Sequence, residues 1–243
     1  MGEKYKCLLI LSLLLNILIG ITGGYFIYTK GGLTYVSNKI KAVVSNSANE
    51  EVVINVKSDL FTTYGTRQKE VVFLGDSLTD NNEWQEMFTD KNVINRGISG
   101  ETSEAILARL GDVVDRQPDK IFVMMGVNDL GQGLSTDSVS ENYKTLINQI
   151  KGGSPETKIY IQSLLPANNQ MVNGVSTSND DIVALNEKLK TLATEQGLVY
   201  IDIHNKLLDE NNQLATKYTV DGLHLTKDGY LIWKDVIERY VTE

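Results

Sequence analysis

The sequence predicts an α/β fold, a mainly parallel sheet with helices on both faces joined by right-handed crossovers. Three observations predict it. From Val71 onward, short apolar stretches alternate with longer stretches whose apolar residues recur at helical spacing. The short stretches are β-branched and apolar at successive positions, as strands covered on both faces are. No internal repeat or extended low-complexity tract interrupts the alternation. A dinucleotide-binding version of this fold is not supported, because no G-x-G-x-x-G follows the first strand; a P-loop is also missing.

The chain of 243 residues opens with a short tail, residues 1–6, whose charges are Glu3, Lys4 and Lys6. Residues 7–28, Cys7 to Tyr28, carry no charged side chain. At ~1.5 Å per residue this run reaches roughly 33 Å as a helix, enough to cross a bilayer. It ends in Tyr25-Phe26-Ile27-Tyr28, aromatics that suit a membrane interface, rather than in small residues suited to cleavage. The expectation is an uncleaved N-terminal transmembrane helix in a bacterial cell membrane, single-pass, with the domain that follows it extracytoplasmic. A cleaved signal peptide, which would make the protein secreted, is the competing reading. Lys4 and Lys6 favour an N-terminus inside, although Lys30, Lys39 and Lys41 lie on the other side of the run. Residues 29–59 read as a tether with a short helix around Tyr35 to Val44, and residues 60–243 as one domain.

Within that domain the expected strands are Val71–Leu74, Val93–Asn95, Ile121–Met125, Ile159–Ser163 and Val199–Ile203. A helix follows Thr102, with Ile106, Leu110, Val113 and Val114 on one face and Pro118 beyond its end. A second runs about Ser138 to Ile150 and stops before Gly152-Gly153. A third spans roughly Asp180 to Glu195, before Gly197, and the last starts near Thr226 and turns Tyr230, Trp233 and Ile237 inward. Glu83-Trp84 and Met87-Phe88 read as core-facing helix residues rather than as an acyl pocket.

Composition excludes several functions. A net charge of −8 without a basic, aromatic-interleaved patch argues against nucleic acid. Cys7 is the one cysteine, so the domain has no internal disulfide and no cysteine-based metal site. No cofactor is expected.

Four stretches fall at strand ends or in a terminal loop: Gly75-Asp76-Ser77-Leu78, Asn95-Arg96-Gly97, Gly126-Val127-Asn128-Asp129 and Asp221-Gly222-Leu223-His224. Each supplies a part of acyl transfer. Ser77 would attack a carbonyl carbon, and a serine hydroxyl needs a base to take its proton. His224 is the better placed of the two histidines, with Asp221 three residues away to hold its Nδ1–H. The N–H groups of Ser77 and Gly97 and the Asn128 amide could donate to the oxyanion. His204, two residues from Asp202, reads as a packing or loop residue, and Arg96 as half of an ordinary ion pair. Each stretch alone is a common turn or cap; their joint appearance in order gives them weight.

These four stretches resemble the sequence blocks of the SGNH hydrolases, the GDSL esterase/lipase family. The resemblance covers Val71 to the C-terminus and is nearest the bacterial branch of lysophospholipase-like and platelet-activating-factor acetylhydrolase-like esterases. It implies a three-layer α/β/α flavodoxin-like sandwich with a sheet of about five strands. It implies Ser77 as nucleophile and oxyanion donor, Gly97 and Asn128 as further donors, His224 as base and Asp221 as its orienter. The expected partner is an ester, and the expected activity serine-esterase hydrolysis of an O-acetyl or short acyl ester on a cell-envelope or dietary glycan. Alternatives are a lysophospholipase, an O-acyltransferase and a catalytically silent envelope-binding domain. The glycan reading rests on the polar stretch Pro166 to Asn179, with Asn168, Asn169, Asn173 and Gly174 overhanging the site.

Overall fold

The computed structural model describes residues 56–172 and 177–243, with Lys4, Tyr5, Ser12, Leu13, Leu15, Asn16, Thr22, Tyr25 and Thr29. The chain divides into two units, Met1–Val53 and Ile54–Glu243. In the first unit the nine described residues are helical and exposed. Most of residues 7–28, and the helix expected around Tyr35 to Val44, lie outside the described residues. Among the described residues no helix is long and apolar enough to cross a membrane.

The second unit begins ahead of the expected boundary at residue 60, because residues 56–63 are helical and belong to it. Its five strands are β1 (Glu70–Gly75), β2 (Asn92–Gly97), β3 (Lys120–Met124), β4 (Lys158–Gln162) and β5 (Val199–Ile201). They form one sheet in the order β2-β1-β3-β4-β5, every pair parallel. The helices are α1 (Ser77–Asp80), α2 (Trp84–Met87), α3 (Ser103–Ala108), α4 (Leu110–Asp115), α5 (Val127–Gly131), α6 (Thr136–Gly153), α7 (Asn179–Gln196) and α8 (Lys227–Thr242). From β1 the chain steps to β2 on one side and then to β3 on the other. The carboxyl ends of β1 and β3 therefore flank the point where strand order reverses, the place where open α/β sheets put their ligands.

The sheet is held by its two faces. Phe73, Phe122 and Tyr160 stand in register on β1, β3 and β4. Their rings stack across the strands, Phe73 on Phe122 at 5.0 Å and Phe122 on Tyr160 at 4.6 Å between centroids. Trp84 of α2 stacks on Phe73 at 4.1 Å, and Trp233 of α8 meets Trp84 edge-on at 5.0 Å. Each such pair adds about 0.5–1.5 kcal/mol beyond the area it buries. Trp84 and Phe88 are core residues, as their sequence context predicts. Alternation puts Val72, Leu74, Ile121 and Val123 on the opposite face. Tyr143, Leu146 and Ile150 of α6, with Leu185 and Leu189 of α7, are buried in the same core.

Helix α6 runs on through Gly152 and Gly153 rather than stopping before them, and two further elements depart from expectation for local polar reasons. The helix after Thr102 is broken into α3 and α4 at Arg109. The Arg109 guanidinium is bound to the Glu101 carboxylate and to the Arg96 carbonyl. Strand β5 stops at Ile201 rather than at Ile203. The N–H groups of Ile203 and His204 both donate to Ser163 Oγ, which takes them out of the ladder.

Candidate active site

The site begins where β1 turns into α1. Asp76 is the N-cap, its Oδ1 accepting the Leu78 N–H at 3.0 Å. Ser77 is thus the first residue of α1, 7% exposed at the carboxyl edge of the sheet. Its own N–H has no acceptor among the described residues, as the first N–H of a helix usually lacks one.

The partner loop comes from just before α8. Asp221 Oδ1 accepts the N–H groups of Leu223 at 2.9 Å and His224 at 2.8 Å, closing a tight turn. The same carboxylate, through Oδ2, meets His224 Nδ1 at 2.7 Å. The other ring nitrogen, Nε2, lies 3.0 Å from Ser77 Oγ. Thr219 Oγ1 accepts from Gly222 N–H and donates to the His224 carbonyl, and the Asn168 N–H donates to the Gly222 carbonyl. Tyr230 of α8 donates its hydroxyl to the Leu78 carbonyl at 2.9 Å, tying the helix after the base to the helix of the serine. Burial by itself would raise the Asp221 carboxyl. The His224 ring and the backbone N–H groups of His224 and Leu223 outweigh it and hold Asp221 below the usual carboxylate range.

Asn128 lies in α5, directly after β3, whose carboxyl end pairs with that of β1. One N–H of its amide donates to the Glu101 carbonyl at 2.8 Å, which fixes the amide plane. An amide NH₂ carries two donors, so the second remains for a ligand. Asp129 beside it is fully buried and receives Ser103 N–H and Ser103 Oγ. It pins the loop after β2 to the loop after β3.

Gly97 does not fill the role expected of it. Its N–H donates to Asn95 Oδ1 at 2.8 Å. A Cβ there would lie 2.3 Å from the Asp80 nitrogen, so this glycine exists to let β2 pass close to α1. The loop continues to Gly100, which has φ +84, open space around its Cβ position, and an N–H with no acceptor among the described residues. Gly100 precedes Glu101, whose carbonyl holds Asn128. Gly100, three residues beyond the expected donor, and Thr102 are the residues of this loop whose N–H groups have no acceptor among the described residues. A positive φ is not visible in sequence, but Ser99-Gly100 is a turn signal that could have suggested it.

The remaining expectations sort plainly. Arg96 pairs with Asp112 at 2.8 Å. His204 is buried away from Ser77, its Nε2 without a partner among the described residues, and burial lowers its pKa. Asn168 turns inward, donating Nδ2 to the Leu214 carbonyl, and Asn179 closes on the Ala167 backbone. These amides build the loop rather than face a ligand. Asn173 and Gly174 lie outside the described residues. A groove of about 800 Å³ between β5 and α8, lined by Tyr200, Ile232, Val236 and Tyr240, includes none of Ser77, Asp221 and His224.

A family profile described as the GDSL-like Lipase/Acylhydrolase family matches residues 73–232, a stretch that contains Ser77, Asn128, Asp221 and His224. The chain belongs to the GDSL-like lipase/acylhydrolase family. This GDSL hydrolase is 26% identical over 171 residues to the platelet-activating factor acetylhydrolase IB subunit alpha2 of Rattus norvegicus, covering 68% of the chain and 72% of the relative. The Homo sapiens subunit alpha1 is likewise 26% identical over 171 residues, covering 68% and 71%. A GDSL-like lipase from Bacteroides thetaiotaomicron superposes with a TM-score of 0.69 at 24% identity, over 78% of this chain and 97% of that one. The GDSL hydrolase is an ester-hydrolysing enzyme, and its five-stranded parallel sandwich is the fold expected from the sequence.

Asp76 gives this hydrolase a pH signature. Burial pushes its carboxyl up to about 7, partly offset by the Leu78 N–H and by His224, with Asp129 and Glu101 adding to the rise. From about pH 4 to about pH 7 the native state therefore holds a proton that the unfolded chain has released, and stability falls as pH rises through that window. Asp76→Asn keeps an N-cap oxygen and removes the titration. Its melting temperature relative to wild type is expected to rise steadily across that window, as followed by circular dichroism. A constant difference would contradict the assignment.

Proposed function

We propose that this chain hydrolyses acetyl and other short acyl esters through an acyl-Ser77 intermediate. The observation that carries the reading is the unbroken line from Asp221 Oδ2 to His224 Nδ1 at 2.7 Å and from His224 Nε2 to Ser77 Oγ at 3.0 Å. Asp221 holds the tautomer in which Nε2 is the acceptor. As Ser77 Oγ attacks the ester carbonyl carbon, Nε2 takes its proton. The N–H groups of Ser77 and Gly100 and the second N–H of Asn128 donate to the oxyanion. The tetrahedral adduct collapses, the C–O bond to the alcohol breaks, and the leaving oxygen takes the proton from His224. Water then gives a proton to Nε2 as it attacks the acyl carbon. The carboxylic acid departs, and Ser77 Oγ regains its hydrogen.

The short acyl group is favoured by the relatives named as acetylhydrolases of platelet-activating factor. Within the polar stretch that suggests a glycan acceptor, Asn168 and Asn179 are spent on the loop's own backbone, and Asn173 and Gly174 lie outside the described residues. The test is a series of p-nitrophenyl esters, from acetate to dodecanoate, with the purified full chain. The expected result is a burst followed by turnover, with kcat/KM greatest for acetate. A rise in kcat/KM toward the long chains would overturn the short-acyl reading, and no turnover on any ester would overturn the acyl-serine mechanism.

The same proposal places the enzyme at a membrane through residues 7–28, with the catalytic domain extracytoplasmic. The run's lack of charge supports it, as do the helical, exposed Leu13, Leu15 and Tyr25. Recovery of the chain in the carbonate-washed membrane fraction, cleavable by protease added to intact spheroplasts, is the expected outcome.

A further inference from the structure

The helical residues 56–63 contribute nothing to the sheet and stand at the edge beside β2, yet their side chains reach the active-site loop twice. Lys57 Nζ forms an ion pair with Asp80 Oδ1 at the end of α1. The other oxygen of Asp80 accepts Ser99 N–H at 3.1 Å and Ser99 Oγ–H at 2.8 Å. Phe61, 5% exposed, lies under the Arg96 guanidinium at 4.3 Å and within 5.7 Å of that of Arg109. Arg109 grips the Glu101 carboxylate with Nε at 2.8 Å and Nη2 at 2.5 Å, and the Glu101 carbonyl holds Asn128. One contact line ends on Ser99 and the other on Glu101, the residues on either side of Gly100.

Gly100 needs such support. With φ +84 and open space around its Cβ position, nothing in its own packing fixes where its N–H points. The position of that donor is inherited from its two neighbours. An oxyanion donor helps only if it is in place before charge develops.

We propose that residues 56–63 are a positioning element of the active site, in which Lys57 and Phe61 hold the Ser99–Glu101 loop so that the Gly100 N–H faces the oxyanion. The inference rests on the acyl-Ser77 reading and deepens it. Lys57 and Phe61 touch no reacting atom and act through Asp80 and Arg109.

The experiment uses the full chain with Lys57→Met, Lys57→Arg, Asp80→Asn and the Lys57→Met/Asp80→Asn pair. Four quantities are read: kcat and KM for p-nitrophenyl acetate, the inhibition constant of phenylboronic acid, and the melting temperature. Phenylboronic acid forms a tetrahedral, anionic adduct on a nucleophilic serine and so reports the oxyanion donors directly. Lys57→Met is expected to lower kcat about 10-fold, a fraction of the ~10²–10³ lost with a whole donor, while KM stays within about twofold. The boronate should weaken by the same factor as kcat. The melting temperature should move by no more than about 2 °C, as for other part-exposed ion pairs. Lys57→Arg should restore most of the loss, and the double variant should be no worse than Asp80→Asn alone. Unchanged kcat and boronate affinity in Lys57→Met would overturn the positioning role. So would a kcat loss that follows the melting temperature without weakening the boronate. Wild type no faster than Ser77→Ala is a different failure, since the acyl-serine reading then falls and takes this inference with it.

Discussion

Ser77→Ala is expected to lower kcat for p-nitrophenyl acetate by about 10⁵–10⁶, leaving only the contribution of binding and of the oxyanion donors. Alanine removes the atom that forms the acyl bond, and no other hydroxyl stands within reach of His224 Nε2 in the described hydrogen bonds. The fold should not notice. The lost hydrogen bond runs to a part-exposed imidazole, so the melting temperature should change by no more than a few degrees. Backbone order at α1 is set by the Asp76 cap and by Tyr230 on the Leu78 carbonyl, neither of which involves the Ser77 side chain. Stopped-flow and steady-state assays of the variant, with its thermal melt, check both halves. Loss of activity accompanied by loss of fold would leave Ser77 as a structural residue and contradict the prediction.

Asp221→Asn is expected to cost about 10³ in kcat, somewhat less than the ~10⁴ known for a fully buried triad aspartate. The direction follows from the tautomer. An asparagine can keep its Oδ1 on the Leu223 and His224 N–H groups, preserving the turn. Its Nδ2 then donates where Oδ2 accepted, so His224 Nδ1 must become the acceptor and Nε2 carries the proton. An imidazole so arranged cannot take the proton of Ser77. The magnitude is reduced because the Asp221 side chain is 51% exposed, and water can replace part of what the carboxylate supplies. Comparison of kcat for wild type and variant between pH 6 and pH 9 checks it; a loss below tenfold would mean that solvent, not Asp221, orients the ring.

The five strands were legible because each is an apolar, branched run ended by a polar or glycine residue; the order β2-β1-β3-β4-β5 is not carried by the runs themselves. Two of the long helices were legible at one end: Thr226 before α8 and Gly197 after α7 stand where the periodicity changes. That Ser77, His224 and Asp221 come together could be read because each carries distinctive chemistry near an element end. Gly100 could not be separated from Gly97 in the same way. Both are glycines in one loop, and what distinguishes them is that Asn95 Oδ1 occupies one N–H and leaves the other. The inward turn of Asn168 was hidden for a related reason, since an amide in a polar loop reads the same whether it faces solvent or the Leu214 carbonyl. Lys57 lay in a stretch that reads as tether, and its tie to Asp80 depends on a fold that brings residue 57 beside residue 80.

The order of the parts along the chain bears on how the enzyme comes into being. Ser77 and its base are separated by 147 residues. The helix that follows His224, α8, is the last of the described helices, and its final carbonyls are held by Lys91 and Lys120 from β2's approach and from β3. Domains fold as units behind the advancing ribosome. Until the residues around His224 have emerged and folded, then, Ser77 stands without the imidazole beside it. On the acyl-serine reading proposed above, a chain in which α8 has not yet closed over the sheet carries an inert alcohol at Ser77 rather than a reactive one.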